Sequence, residues 1–172
     1  MQYDPHKTGA PMKPIEPTGF FTGIQFRPIL TGAVVDFIAS FVLAALYYGL
    51  YIAPQSGSAG ATEEAAAQFW VSSEGLTAGL LLGSLGTLIG GFYGAYKAGT
   101  LEMKHGALVG VASIVVGLIM QSGASDNQFP EWFMALSFAS AIPAGALGGF
   151  FAEMFRGMTK RKSSSGAVPG DR

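Results

Sequence analysis

The sequence predicts an all-α integral membrane protein: a four-transmembrane-helix bundle running up-down-up-down, with both termini cytoplasmic. Three observations predict it. Only 12% of the 172 residues are charged, 49% belong to the hydrophobic set, and 25 are glycine. Counting glycine and leaving out tyrosine, roughly 60% of the chain is apolar, against about 45–50% in a soluble domain with about 25% charge. Four long stretches carry almost no charge, and the ten Lys and Arg residues cluster on one side of them.

The first stretch covers residues 29–53 between Pro28 and Pro54, the second 76–96, the third 106–121 and the fourth 132–155. A helix needs about 20 apolar residues to cross the hydrocarbon layer. The third is short, must borrow Lys104, His105 or Ser122 at its ends, and should tilt little. None alternates apolar with polar residues, which excludes barrel strands.

Orientation follows from the basic residues. Lys7, Lys13 and Arg27 precede the first span, Lys97 and Lys104 join the second to the third, and Arg156, Lys160, Arg161, Lys162 and Arg172 follow the fourth. The other two connections hold only acids: Glu63, Glu64, Glu74, Asp126 and Glu131. Basic loops are retained in the cytoplasm.

Residues 1–27 read as a cytoplasmic proline-rich arm and interfacial lead-in. Pro5, Pro11, Pro14 and Pro17 forbid helix or ladder, no signal-peptide core is visible, and Phe20, Phe21, Ile24 and Phe26 suit the headgroup layer. Residues 28–157 form the bundle, and residues 158–172 a flexible basic, Ser/Gly-rich cytoplasmic tail. In the connection between the first and second spans, residues 61–71 favour a helix capped by Thr62, with Glu63 and Glu64 in its first turn and Phe69 and Trp70 against the outer interface. Pro130 and Glu131 suit a helix start, and Trp132 marks the same boundary.

Small residues recur at helical spacing. The second span carries Gly79, Gly83, Gly86, Gly90 and Gly94; the third Gly106, Gly110, Ser113 and Gly117; the fourth Ser137, Ala141, Gly145, Gly149 and Ala152. The first has Gly32, Asp36, Ser40 and Ala44 on one face. Helices in lipid associate through close backbone approach, which such stripes permit. These glycines are therefore expected to be helix-packing residues, with some stripe left over for another protein. A partial repeat pairs LIGGFYGAYKAG at 88–99 with ALGGFFAEMFRG at 146–157.

The run GGFYGAYKAGTLEMKHGALVGVASIVVGLI, residues 90–119, resembles small uncharacterised four-span bacterial membrane proteins with a glycine-rich helical hairpin. The resemblance supports topology only and brings no activity with it; the expected location is a bacterial cytoplasmic (inner) membrane.

Asp36 lies about seven residues, ~10 Å, inside the first span. A carboxylate at that depth is costly unless protonated or paired. Its expected company is an intramembrane polar cluster of Asp36, Lys97, Arg156 and His105. A lock on helix register weighs more than proton or ion handling here, because no second deep acid or histidine continues a relay. Glu153 and Arg156 read as a solvated pair at a helix end. With His6 in the arm and His105 the sole histidine near a span, a bis-histidine haem is excluded, and no phosphate loop or metal motif is present. No cofactor is expected, and ten basic residues balancing eleven acids exclude nucleic acid as a partner.

The leading expectation is a non-catalytic accessory subunit. It would pack against a larger integral-membrane complex, a respiratory or photosynthetic electron-transfer complex for example, through small-residue faces and the N-terminal arm, with lipid around it. The alternative is a small channel or transporter with Asp36 at its polar site. A membrane enzyme fares worst, since Glu102, His105 and Glu153 are scattered.

Overall fold

The computed structural model describes residues 19, 21–57, 62–122 and 129–165, with side chains through residue 159. The prolines of the arm, Lys7, Lys13, His6, Phe20, Asp126 and residues 166–172 lie outside the described residues.

All described elements are helical. Helix α1 spans Phe26–Tyr47 and runs through a π turn, Tyr48–Ile52, into a short α2, Ala53–Gln55. Then come α3 Glu63–Val71, α4 Ser73–Ala98, α5 Glu102–Ser122 and α6 Glu131–Ser165. Four helical stretches are long and apolar enough to cross a membrane: Phe26–Gln55, Ser73–Ala98, Glu102–Ser122 and Glu131–Thr159, of 30, 26, 21 and 29 residues. The protein is thus a multi-pass helical membrane bundle.

Two prolines shape these helices. Pro54 lacks an amide hydrogen and its ring crowds the carbonyl four residues back. The π turn stands directly before it, and the Ala53 N–H reaches the Tyr48 carbonyl, five residues back. Pro143 sits inside α6, where bundle neighbours make such a residue tolerable. At its other end α6 continues through residues 158–165, expected as flexible tail. Lys and Arg are good helix formers, the run 159–165 holds no glycine or proline, and cations suit a helix C-terminus.

The expected cap at Thr62 is present: its Oγ1 accepts the Ala65 N–H at 3.2 Å. Ser72 makes the corner between α3 and α4. Its Oγ accepts the Gly75 N–H at 3.1 Å and donates to the Phe69 carbonyl at 2.7 Å. Phe69 and Trp70 meet Tyr48 with ring centroids at 5.5 and 6.3 Å. At the opposite end Phe92, Tyr96 and Phe155 form a second aromatic group. Aromatic groups at both ends of the spans fit the two interfacial layers.

Packing is made by glycines. Between α1 and α4, Gly32 meets Gly90 and Gly94, while Asp36 meets Gly90 and Ser40 meets Gly86, one helix counting up as the other counts down. Between α4 and α6, Gly91 meets Gly145, and Gly148 meets Leu88 and Phe92. Between α5 and α6, Gly106 meets Gly145 and Gly149, and Gly110 meets Ala141. A Cβ added at Gly106 would stand 2.3 Å from the Gly145 carbonyl oxygen, and one at Gly91 2.5 Å from the same atom. Only glycine allows these backbones to touch.

The tight packing occupies one end. Apart from Gly75 and Leu76, the buried residues of α1, α4 and α5 fall within 28–36, 86–98 and 105–110. In α6 they run from Ala141 to Ala152. This is the end that carries Arg27, Lys97, Lys104 and Arg156. Towards the acidic end the packing is looser and fewer residues are buried.

Candidate functional site

Where the tight half gives way to the loose half, a cavity of about 250 Å³ opens between the helices. Asp36, Ser40, Thr87 and Ser113 lie at its closed end. Its lining reaches Gly79 on α4 and Met120 on α5, two residues before α5 ends at Ser122. On the other side of Asp36 the glycine contacts of the tight half close the way.

Asp36 is 5% exposed. Gly86 and Gly90 flank Thr87 and press α4 onto α1: a Cβ at Gly90 would stand 2.5 Å from the Asp36 Cβ, and one at Gly86 1.9 Å from the Ser40 Oγ. The carboxylate then meets three hydroxyls from three helices. Ser40 donates to Oδ1 at 3.2 Å, and the Thr87 Oγ1 stands 3.2 Å from both carboxylate oxygens. Ser113 donates to Oδ2. Two of these hydroxyls have a second acceptor in reach, the carbonyl four residues back in their own helix. Thr87 has Gly83 and Ser113 has Val109, each at 3.0 Å. A hydroxyl carries one hydrogen, so Thr87 and Ser113 each choose between the carboxylate and the helix. Further along the cavity, Ser84 donates to the Ser140 Oγ at 3.2 Å, and Ser140 to the Ser137 carbonyl at 3.1 Å.

The expected four-residue cluster is corrected here. Lys97 stands ten residues beyond Thr87 on α4, ~15 Å along the axis, and its ammonium lies 5.7 Å from the centre of the Tyr93 ring. Arg156 pairs with Glu102, Nε to Oε1 at 3.3 Å, donates to the Tyr96 carbonyl, and covers the Tyr96 ring at 5.3 Å. It also closes over Gly99, whose φ of +74° ends α4 in a left-handed cap. Its ionic partner is therefore Glu102, across the bundle, and Glu153 on its own helix is exposed. His105 is fully buried and accepts the Gln25 N–H on Nε2 at 3.0 Å. Its proton is then on Nδ1, assigned from the partners, 3.1 Å from the Leu101 carbonyl. All three residues secure the basic end, and none meets Asp36.

Of the packing glycines, Gly86, Gly90, Gly94, Gly106, Gly110, Gly145 and Gly149 sit in close seams. A Cβ at Gly117 would make ordinary contact with Phe138 at 3.6 Å, and one at Gly79 would only touch Phe133 and Trp70 at 3.9 and 4.0 Å. A Cβ at Gly83 would meet nothing. All three line the cavity, so at this end the stripe leaves space where close packing was expected. Sequence reasoning passed over Thr87 altogether and took Ser40 and Ser113 only as small residues. Their spacing with the glycines was visible; their convergence on one acid depends on register between helices.

Among the described residues, no group of three or more His, Cys, Asp or Glu could hold a metal ion. The chain shows no significant similarity to any protein-family model, curated protein or solved structure.

Proposed function

We propose that the chain is a small transporter of a bacterial inner membrane, crossing it up-down-up-down with both termini cytoplasmic and taking its solute at Asp36. One observation carries this reading: the buried acid forms the closed end of a cavity, among hydroxyls that can rearrange. A residue kept only to lock helix register needs no cavity beside it. Closure at the basic end suits a site reached from one side at a time, whereas an open channel needs a continuous path.

The accessory-subunit reading drew on small-residue surface left over for another protein. Among the described residues, a Cβ meets nothing only at Gly49, Gly57, Gly83 and Gly157, and Gly83 faces the cavity. The glycine seams are largely consumed within the chain, although Ala135 and Ala139 on α6 stay exposed, and the cavity beside Asp36 is what favours transport.

Replacing Asp36 by asparagine tests the choice. The expected result is a variant that folds like the parent, because Thr87 and Ser113 can turn to their own helix carbonyls, but has lost solute flux in proteoliposomes. Unchanged flux would end the transporter reading. Stoichiometric co-purification of a larger integral protein from native membranes, with no flux from the isolated chain, would favour the accessory subunit.

A further inference from the structure

We infer that Asp36, Ser40, Thr87 and Ser113 form a binding site for one monovalent cation of about the size of sodium. This deepens the transporter reading by naming its solute class, and it rests on that reading for the route to the site. Four arguments lead to it.

The ligand set consists of hard oxygens. Two carboxylate and three hydroxyl oxygens from α1, α4 and α5 gather here, and all four side chains line the cavity. Oxygen-only sites suit alkali and alkaline-earth ions, not the transition metals that favour nitrogen and sulfur. Charge then selects among the hard ions. The site holds one carboxylate, so a monovalent ion leaves it neutral, whereas a divalent ion would leave a net positive charge buried among apolar helices.

Size points the same way. Oxygens about 2.4 Å from an ion in a near-octahedral shell stand roughly 3.4 Å apart. The Ser40 and Thr87 hydroxyls already stand 3.2 Å from the carboxylate oxygens. A sodium-sized ion needs only a small expansion at Ser40 and Thr87, whereas Ser113, in closer contact with Oδ2, must draw back further; a larger potassium-sized ion needs more at every ligand.

Finally, the hydroxyls can change role. Without the ion they donate to the carboxyl oxygens of Asp36. With it, Thr87 and Ser113 can turn their hydrogens to the Gly83 and Val109 carbonyls, each 3.0 Å away, and present lone pairs to the ion. The hydroxyls thereby satisfy the carboxylate when the ion is absent, and the ion satisfies it when bound. A proton alone would also leave carboxyl oxygens for the hydroxyls to bond, so the response to sodium is what separates a cation site from a proton site.

The test is thermal unfolding of the purified full chain in detergent at constant ionic strength, in sodium, lithium, potassium, calcium or choline chloride. Sodium should raise the midpoint saturably, by roughly 5 °C when the ion is in large excess over its Kd. Potassium and calcium should do less, and choline nothing. Asp36→Asn should abolish the response, and Ser113→Ala or Thr87→Val should raise the half-saturating sodium concentration at least tenfold. Should Asp36→Asn fail to fold, Ser113→Ala decides. Equal midpoints in sodium and choline, a stronger response to calcium, or an undiminished response in Ser113→Ala would overturn the inference. Sodium-tracer flux in proteoliposomes separates the two claims. Sodium stabilisation without flux of any ion retires the transporter and keeps the site. Proton flux without a sodium response keeps the transporter and retires the site.

Discussion

His105 shows how a single buried side chain can hold the start of one helix against another. Its unprotonated Nε2 takes the N–H of Gln25, the residue preceding α1, while the Gln25 side chain donates to the Ala98 carbonyl at 3.1 Å. Truncation in His105→Ala removes the acceptor of the part-buried Gln25 N–H and opens a void, at a cost of about 1–3 kcal/mol in all. The expected outcome is a lower unfolding midpoint in detergent and faster hydrogen exchange at the first turn of α1; an unchanged midpoint would remove His105 from this role. The glycines make a sharper contrast. Gly145→Ala would place a methyl 2.3 Å from the Gly106 carbonyl oxygen, whereas Gly83→Ala would place one in open space. Forcing a seam apart costs about 1–3 kcal/mol. Thermal scans should therefore show Gly145→Ala clearly destabilised and Gly83→Ala close to the parent, and equal effects would contradict the division into tight and loose halves. That division was not legible in the stripes, which repeat the same spacing through both halves. The burial of Asp36 was legible, since it shares a face with Gly32 and Ser40. Its partners were not, because which hydroxyls of α4 and α5 come level with it depends on inter-helix register.

At the scale of elements, α4 is the centre, touching α1, α5 and α6. The paired glycines make this possible: neighbouring residues on a helix point about 100° apart, so Gly90 serves α1 while Gly91 serves α6. In α6 the corresponding pair does likewise, Gly148 against α4 and Gly149 against α5. Both segments thus turn adjacent glycines to two neighbours, but with the roles exchanged: Gly90 faces the preceding span in α4, whereas Gly149, the second of its pair, does so in α6. Four span centres and the Thr62 cap could be read from charge gaps and local chemistry. The π turn, the continuation of α6 and the α3–α4 corner could not, since each reflects competition among neighbouring backbone groups. That corner is tight: a Cβ at Gly75 would stand 1.9 Å from the Phe69 carbonyl oxygen. Gly75→Ala should consequently release α3 from the end of α4, while Ser72→Ala, which loses a cap, should cost about 1 kcal/mol. Hydrogen exchange across Glu63–Val71 reads both, with the larger rise expected for Gly75→Ala; protection equal to the parent in that variant would show the corner to be dispensable.

For the whole molecule, charge and packing share one polarity. The basic residues Arg27, Lys97, Lys104 and Arg156 ring the tight end, and Glu63, Glu64, Glu74 and Glu131 belong to the loosely packed end. If basic residues stay in the cytoplasm, the cavity above Asp36 faces outward and its closed floor faces in. The chain contains no cysteine, so single cysteines report position without a background. Ser84 and Ser137 line the cavity; Thr100 sits in the turn between α4 and α5 at the basic end; Gly148 lies in the α4–α6 seam. A charged, membrane-impermeant thiol reagent applied to intact cells should label Ser84→Cys and Ser137→Cys but not Thr100→Cys. Inverted vesicles should reverse the pattern, and Gly148→Cys should resist both, if it folds. Labelling of Thr100→Cys from outside would invert the topology. Labelling of Ser84→Cys equally from both sides would mean that the glycine floor does not seal, and the site would then lie on a pore.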